Sequence, residues 1–434
     1  MRHARGLFAA ASIAVLAAAC SGGTDSSPDT TQAKGASTTT AAAVADRGNV
    51  DGTLEIGFLA PETGPMAAVV SSVTTPVDQA IDEINAAGGV NGKDVVLTVR
   101  DDGADPQIAS ASFDQLVTSD KIDALLGPAT SPTTLAVLEK IKSDGVVTCG
   151  GSATAIDLSD ADSGGYYFRT APPDRFQGPA LAELILGDGH TKVAIIARDD
   201  SYGQGLSEVV ASALESSGAE VADPVLYDPS GSNFEGDVQK VVAQDPDAVV
   251  LIGFSDDAAL IVKELTVQGA GPADLPMYTT DGFQNPGFGA MVDPTDPAVV
   301  AGIKGTAPAA SPAGVDSPFM ETFVKSGVPP IFSAYYYDCT LLTALAAQAA
   351  GSDDPAEIKD AFAANLDGET DCSTYADCKE ILEDGGTIHY RGASNSFDTW
   401  AGFEPGSGAY DVWAFDEQGQ PVTGDADEQI KIAS

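Results

Sequence analysis

Leu54-Glu55-Ile56-Gly57-Phe58-Leu59-Ala60, residues 54–60, is a short apolar run bounded by turn residues, and it reads as a buried β-strand. The next stretch predicts a helix over 71–87, with Val73, Val77, Ile81 and Ile84 on one face. The alternation continues with a strand over 94–100 and a helix carrying Ala109, Phe113, Leu116 and Val117. A strand over 122–126, a helix over 132–143 and a strand over 146–148 follow. Strands this apolar, joined by helical crossovers, belong to a parallel sheet covered on both faces, which makes one doubly wound lobe.

The pattern then restarts. A strand over 166–170 leads into a helix from about 175, and 192–197 is a second apolar strand followed by a helix from Gly203. Strands over 221–227, 248–253 and 277–279, with helices over 234–243 and 257–267 between them, complete another lobe of the same kind. Beyond 303–306, helices over 317–325, 333–350 and 355–364 read as a return to the first lobe, and 410–415 as a crossing back to the second. The expected class is α/β: two doubly wound parallel-sheet, Rossmann-like lobes joined by a hinge. Lobe 1 is expected over 53–171 and 304–390, lobe 2 over 172–303 and 391–434. Open sheets of this kind take ligands at the carboxyl ends of their strands, and two such ends facing each other form a cleft that closes on a solute.

At the amino terminus Arg2, His3 and Arg5 precede an apolar run over 7–19 and then Cys20. The run is too short to span a bilayer and has the form of a secretory signal peptide over 1–19. Leu16-Ala17-Ala18-Ala19-Cys20 resembles a bacterial lipobox, whose cysteine is lipidated, with Ala17 where leucine is usual; a plain secretory signal with an incidental cysteine is the alternative. Residues 20–52 are rich in Ser, Thr, Gly, Ala and Asp, and such a segment cannot bury enough surface to offset its ordering entropy. It is expected to be a flexible tether reaching roughly 30 Å from a membrane. The formal charge of −43 becomes −45 once residues 1–19, with Arg2 and Arg5, are removed. That acidity argues against nucleic acid and against adsorption on anionic lipid. The expected location is extracytoplasmic, on the cell membrane through an N-terminal lipid.

Apart from Cys20, four cysteines remain, an even number that suits two disulfides in an oxidising compartment. Cys372 and Cys378 are the easiest pair, leaving Cys149 with Cys339 if their backbones come within reach. A metal site competes poorly, because the gap of five residues is unusual and only His190 and His389 are left after residue 19. The same two histidines argue against nucleophilic catalysis: neither lies near a Gly-x-Ser-x-Gly elbow, and His190 sits in a turn expected to face solvent. No catalytic residue, metal or cofactor is expected.

Loops following first-lobe strands carry Ser131, Ser152 and Thr154 among Gly and Ala. Hydroxyls and free backbone N–H groups near helix N-termini suit a carboxylate without a cationic side chain; the alternative is that each hydroxyl merely caps its own helix. Gly150-Gly151-Ser152 has no following Lys and is not a phosphate loop.

Several motifs, in this order and spacing, carry a resemblance. They are Ile-Gly-Phe-Leu-Ala-Pro-Glu-Thr-Gly-Pro at 56–65, Ile-Asn-Ala-Ala-Gly-Gly-Val-Asn-Gly-Lys at 84–93 and Asp-Asp-Gly-Ala-Asp-Pro at 101–106. Gly-Pro-Ala-Thr-Ser at 127–131, Ala-Thr-Ala-Ile-Asp-Leu at 153–158, Phe-Arg-Thr at 168–170 and Asp-Asp-Ser-Tyr-Gly-Gln-Gly at 199–205 complete the set. From Leu54 onward the chain resembles type I periplasmic solute-binding proteins, in the leucine/isoleucine/valine-binding branch of ABC transporter receptors. The resemblance implies that Ser131, Ser152, Ala153 and Thr154 hold a ligand carboxylate, and that Asp281 pairs with the ligand's ammonium. It implies that Tyr202 and Phe254 close over the ligand body; core packing is their plainer role. Met66 and Ala67 stand where an aromatic residue is frequent. The implied partners are a small amino acid, branched-chain-like, and an ABC transporter permease, with the receptor a monomer. An amide, urea or aromatic-acid ligand, or a ligand-sensing receptor of the same fold, is the alternative.

Overall fold

The computed structural model describes residues 50–315 and 317–433. The signal peptide over 1–19, Cys20 and the tether up to residue 49 therefore lie outside the described residues, and no helix among the described residues is long and apolar enough to cross a membrane.

The first sheet contains β1 (Glu55–Ala60), β2 (Val96–Asp101), β3 (Ala124–Leu126), β4 (Val147–Gly150) and β5 (Tyr167–Arg169) in the order β2-β1-β3-β4-β5. All its pairings are parallel. β1 lies between two neighbours with helices on both faces, which is why five consecutive residues, Ile56 to Ala60, are buried without alternation. The second sheet is built on β6 (Lys192–Arg198), β7 (Glu220–Val221), β8 (Val225–Tyr227), β9 (Ala248–Ile252), β10 (Met277–Thr279) and β11 (Lys304–Pro308). Two small ladders follow, β12 (Thr370–Cys372) with β13 (Ile388–Tyr390) and β14 (Trp400–Ala401) with β15 (Glu404–Pro405). The second sheet then ends with β16 (Ser407–Phe415), β17 (Pro421–Thr423) and β18 (Ile430–Ala433), where β16 runs antiparallel to β11.

Two lobe limits differ from the expected ones. β11 pairs in parallel with β10, Tyr278 opposite Lys304, so the chain leaves the second sheet after Pro308 and not at 304. Residues past 390 stay with the first lobe, because Ala393 and Phe397 are buried in its core. The chain thus passes between the lobes three times: between β5 and helix 174–187, after β11, and before β16.

Helix Ser333–Ala350 is the axis of the first lobe. It is buried all round from Ser333 to Ala347, the mark of a helix enclosed by its own lobe. Ser333 Oγ donates to the Ser72 carbonyl (2.7 Å), and Asp338 accepts from Tyr390 Oη (2.7 Å) and the Ala393 and Ser394 N–H groups (2.8 and 2.7 Å). Cys339 is joined to Cys149 at the end of β4, with the Cα atoms 5.5 Å apart, and Cys372 is joined to Cys378. β4 leads directly into the 151–154 loop, so the first bridge ties that loop's root to the axial helix.

A second tie comes from Arg169. Its five N–H groups are all taken: Nε and Nη2 reach Glu404, Nη2 also reaches Ser159 (2.7 Å), and Nη1 donates to the Ala153 and Ala155 carbonyls (3.1 and 3.0 Å). The guanidinium is fully buried, and Glu404 nearly so, which makes the pair costly to break from one side.

Two outcomes are expected from these ties. Cys149 and Cys339 are 190 residues apart and Cys372 and Cys378 six, so chemical denaturation should register about 5 kcal/mol lost on double Ser replacement of the first pair and about 2 for the second. Equal losses would show that loop closure is not the cause. Glu404→Gln leaves Arg169 without its counter-charge and should cost about 3–5 kcal/mol in the same measurement.

Candidate functional site

The order of the first sheet reverses between β1 and β3, and that of the second between β6 and β9. Loops leaving the carboxyl ends of strands at these reversals are where an open parallel sheet forms its binding crevice. Here the loops of both sheets converge on one pocket. Ser131, Ser152 and Thr154 line it from the first lobe, and Tyr202, Phe254 and Asp281 from the second. Ala153 does not line it; the residue is buried and its carbonyl is held by Arg169.

Backbone constraints shape the first-lobe wall. Gly127 follows β3 with φ +82°, and a Cβ there would lie 2.6 Å from the Leu59 carbonyl oxygen, so only glycine permits this turn. Asp102, buried behind the turn, accepts the Ala129 N–H (2.9 Å) and the Ala104 N–H (2.8 Å). Burial pushes its carboxyl up to about 6, against those two hydrogen bonds. Ser152 Oγ donates to the Ala129 carbonyl (2.6 Å) and lies 2.9 Å from Tyr336 Oη, so this hydroxyl chiefly ties two pocket loops together. Ser131 does not cap its own helix: Thr130 and Thr133 form the capping box, while Ser131 Oγ accepts the Ala155 N–H (3.1 Å). Ser131 also lines the pocket.

The second-lobe wall is an aromatic stack with an acid at its end. Tyr202 opens its helix on the cap of Asp200, whose carboxylate accepts the Tyr202 and Gly203 N–H groups (3.1 and 3.0 Å). A Cβ at Gly203 would fall 2.2 Å from the Arg198 carbonyl oxygen, so the glycine lets that first turn press against β6. The Tyr202 and Phe254 rings stack with centroids 5.5 Å apart, and the Arg198 guanidinium lies 4.1 Å from the Phe254 centroid. Arg198 is itself paired with Asp200 and Asp257. Thr280 Oγ1 is 2.7 Å from Tyr202 Oη, which donates to Asp281 Oδ1 (3.1 Å). Burial raises the Asp281 carboxyl, opposed by the nearby Gln177 side-chain amide and by the hydrogen bond from Tyr202.

None of the pocket's lining residues is Lys, Arg or His. The polar groups are therefore divided: neutral hydroxyls on one lobe, a carboxyl on the other. Between them the surface is apolar, from Met66, Val69 and Val73 on one side and Ile331 and Phe332 on the other. Ile331 and Phe332 escaped the sequence reading. Phe332 adopts φ +57° just before the axial helix, behind Pro329 and Pro330, and the Pro-Pro pair was the only local sign of a special turn. Met66 also packs against the second lobe's core, so the lobes meet through it. His190 is half-buried, 5.8 Å in ring-centroid distance from Tyr278, and neither it nor His389 lines the pocket. Among the described residues no cluster of His, Cys, Asp and Glu could hold a metal ion.

The sequence profile described as periplasmic binding protein matches residues 53–376. A chemotactic signal transduction system substrate-binding protein, BasB, from Halobacterium salinarum is 27% identical over 366 residues, covering 81% of this chain and 85% of that one. The leucine-binding protein LivK of Thermotoga maritima superposes with a TM-score of 0.71 at 19% identity, over 88% of this chain and 99% of that one. LivJ of Streptococcus pneumoniae, solved with isoleucine, gives 0.66 at 24% identity, over 86% and 100%. A solute-binding protein of R. palustris solved with 4-hydroxybenzoate gives 0.67 at 18%, over 88% and 98%. These relatives and this fold are those of binding proteins. The chain belongs to the periplasmic binding protein family, and its fold is that of the type I, leucine/isoleucine/valine-binding-like solute receptors of ABC transporters.

Proposed function

We propose that this chain is the extracytoplasmic receptor of an ABC importer, binding a small amino acid with an aliphatic side chain in the interlobe pocket and delivering it to a permease. The observation that carries this reading is the position of Asp281. It is a buried acid in a pocket lined by no basic residue, opposite the hydroxyls of Ser131 and Thr154. A buried carboxylate needs a cation and a ligand carboxylate needs donors, and a zwitterionic amino acid satisfies both at once. The Ser152 hydroxyl keeps the 129 and 152 loops in register, while Tyr202, Phe254, Val73 and Phe332 supply apolar surface for the side chain.

An aromatic acid would bring a carboxylate but no ammonium, leaving Asp281 uncompensated. An amide or urea would bring no charge at all. Attachment by lipid at Cys20 and a monomeric receptor complete the proposal. A ligand-sensing receptor is the second reading, favoured by the likeness to a chemotactic substrate-binding protein; the pocket chemistry is the same in both.

Thermal melting against a solute panel should show leucine, isoleucine and valine raising the transition, with acetamide, urea and benzoate leaving it unmoved. A shift with benzoate and none with the three amino acids would overturn the reading. Asp281→Ala should weaken binding of the best amino acid by about 2 kcal/mol or more, roughly thirtyfold in Kd by titration calorimetry; unchanged affinity would remove Asp281 from the ammonium role.

A further inference from the structure

Behind Asp281 lies a second acid that does not line the pocket. Asp174 begins helix Asp174–Gly187 and is fully buried, and neither of its carboxyl oxygens has a hydrogen-bond partner. Its own N–H donates to the Thr154 carbonyl (2.9 Å), which places it directly under a ligand loop. The Thr154 hydroxyl is near enough to favour the ionised form but not in hydrogen-bonding geometry.

The charged and titratable groups facing Asp174 come from four elements: Arg169 on β5, Tyr202 on helix Ser201–Ser216, Asp281 in the turn after β10, and Tyr410 on β16. Arg169 has no donor left for it, since all five N–H groups are engaged. Tyr410 Oη is itself buried without a partner. Arg175, the next residue, is turned to Glu404 and Ser159. Two carboxyls thus share a buried space in which, among the described residues, no cation is free to pair with them. Such a pair cannot readily ionise twice, and a proton on one of them is the least costly way to limit the charge.

We propose that Asp174 is a specificity-determining residue of the pocket: in the ligand-free protein it and Asp281 hold one proton between them, and a ligand's ammonium displaces that proton to solvent. This rests on the reading of the pocket as an amino-acid site. The exchange is of one cation for another: the two carboxyls with their proton carry −1, and with the ligand's ammonium in its place they again carry −1, the ligand's own carboxylate being received on the Ser131 and Thr154 side and the released proton being taken up by buffer. A ligand without a cationic group cannot drive the exchange. Burial, with the Asp281 charge adding to it, pushes the Asp174 carboxyl up to about 8 from 3.8, in keeping with a proton held near neutral pH. Because the folded value is the higher one, the ligand-free protein is most stable below pH 3.8 as far as this group is concerned. It loses that contribution as pH rises toward 8.

The test is titration calorimetry of the whole folded protein with L-leucine at pH 7.5, in phosphate and in Tris, whose ionisation enthalpies differ. Wild type should release close to one proton per leucine bound, with Kd falling up to tenfold per pH unit between pH 6 and 7.5. Asp174→Asn, isosteric but unable to titrate, should still bind leucine with no proton released and a flat pH dependence. Leucine binding to wild type without proton release overturns the inference and leaves the amino-acid reading intact. Leucine producing no heat counts against that reading, and ligand-free melting then decides the proton. The wild-type transition should fall relative to that of Asp174→Asn between pH 6 and 8.5, and parallel curves would refute the shared proton.

Discussion

The buried arginines Arg169 and Arg198 near the cleft are both paired with carboxylates of the protein itself. Arg169 divides its five donors between Glu404, Ser159 and the carbonyls of Ala153 and Ala155. Arg198 is held by Asp200 and Asp257, with Phe254 against its guanidinium. These pairings fix the loops and the aromatic wall, and they leave Asp281, which lines the pocket, with no cation of the described residues paired to it. The electrostatic demand of the cleft, for one positive charge near Asp281, follows from where the arginines are committed. On the proposed reading, that demand is what separates an amino acid from an aromatic acid such as the 4-hydroxybenzoate held by a protein of similar fold.

The same ties explain how irregular loops can form a defined pocket. The loop after β3 is held by Asp102 through the Ala129 N–H, and the loop after β4 by Arg169, by Ser152 and by the Cys149–Cys339 bridge at its root. The Arg169 and Cys149–Cys339 ties run to β5 and to the axial helix, and Ser152 joins the two loops to each other, so the first-lobe wall is held as one unit. Met66 and Phe332 bring apolar surface from the first lobe against the second, where a solute side chain would otherwise meet water.

The sheets were legible in the sequence because their central strands β1, β3, β6 and β9 are buried and read as unbroken apolar runs between amphipathic helices. The limits of the lobes were less so. The run 304–308 has the composition of a strand in either sheet, and only its register against Tyr278 assigns it to the second. Segment 391–403 looked like the start of the final crossing, yet Phe397 keeps it in the first core. In the pocket, Ser131, Ser152 and Thr154 could be read from hydroxyls after strands, but their individual partners could not. Ser152 is tied to Ala129 across 23 residues, and Ser131 serves the Ala155 N–H instead of its own helix. Asp281 was marked by the family resemblance. Asp174 carried no local sign at all, since an acid at the start of a helix is commonplace, and its isolation arises from tertiary burial.

The most direct measurement is a crystal structure of the protein with L-leucine or L-isoleucine bound. The account predicts the ligand's ammonium within hydrogen-bonding distance of an Asp281 carboxyl oxygen, its carboxylate received by the Ser131 and Thr154 side, and its side chain among Val73, Phe254 and Phe332. A ligand lying the other way round, with its carboxylate toward Asp281, or one seated outside the interlobe pocket, would contradict it.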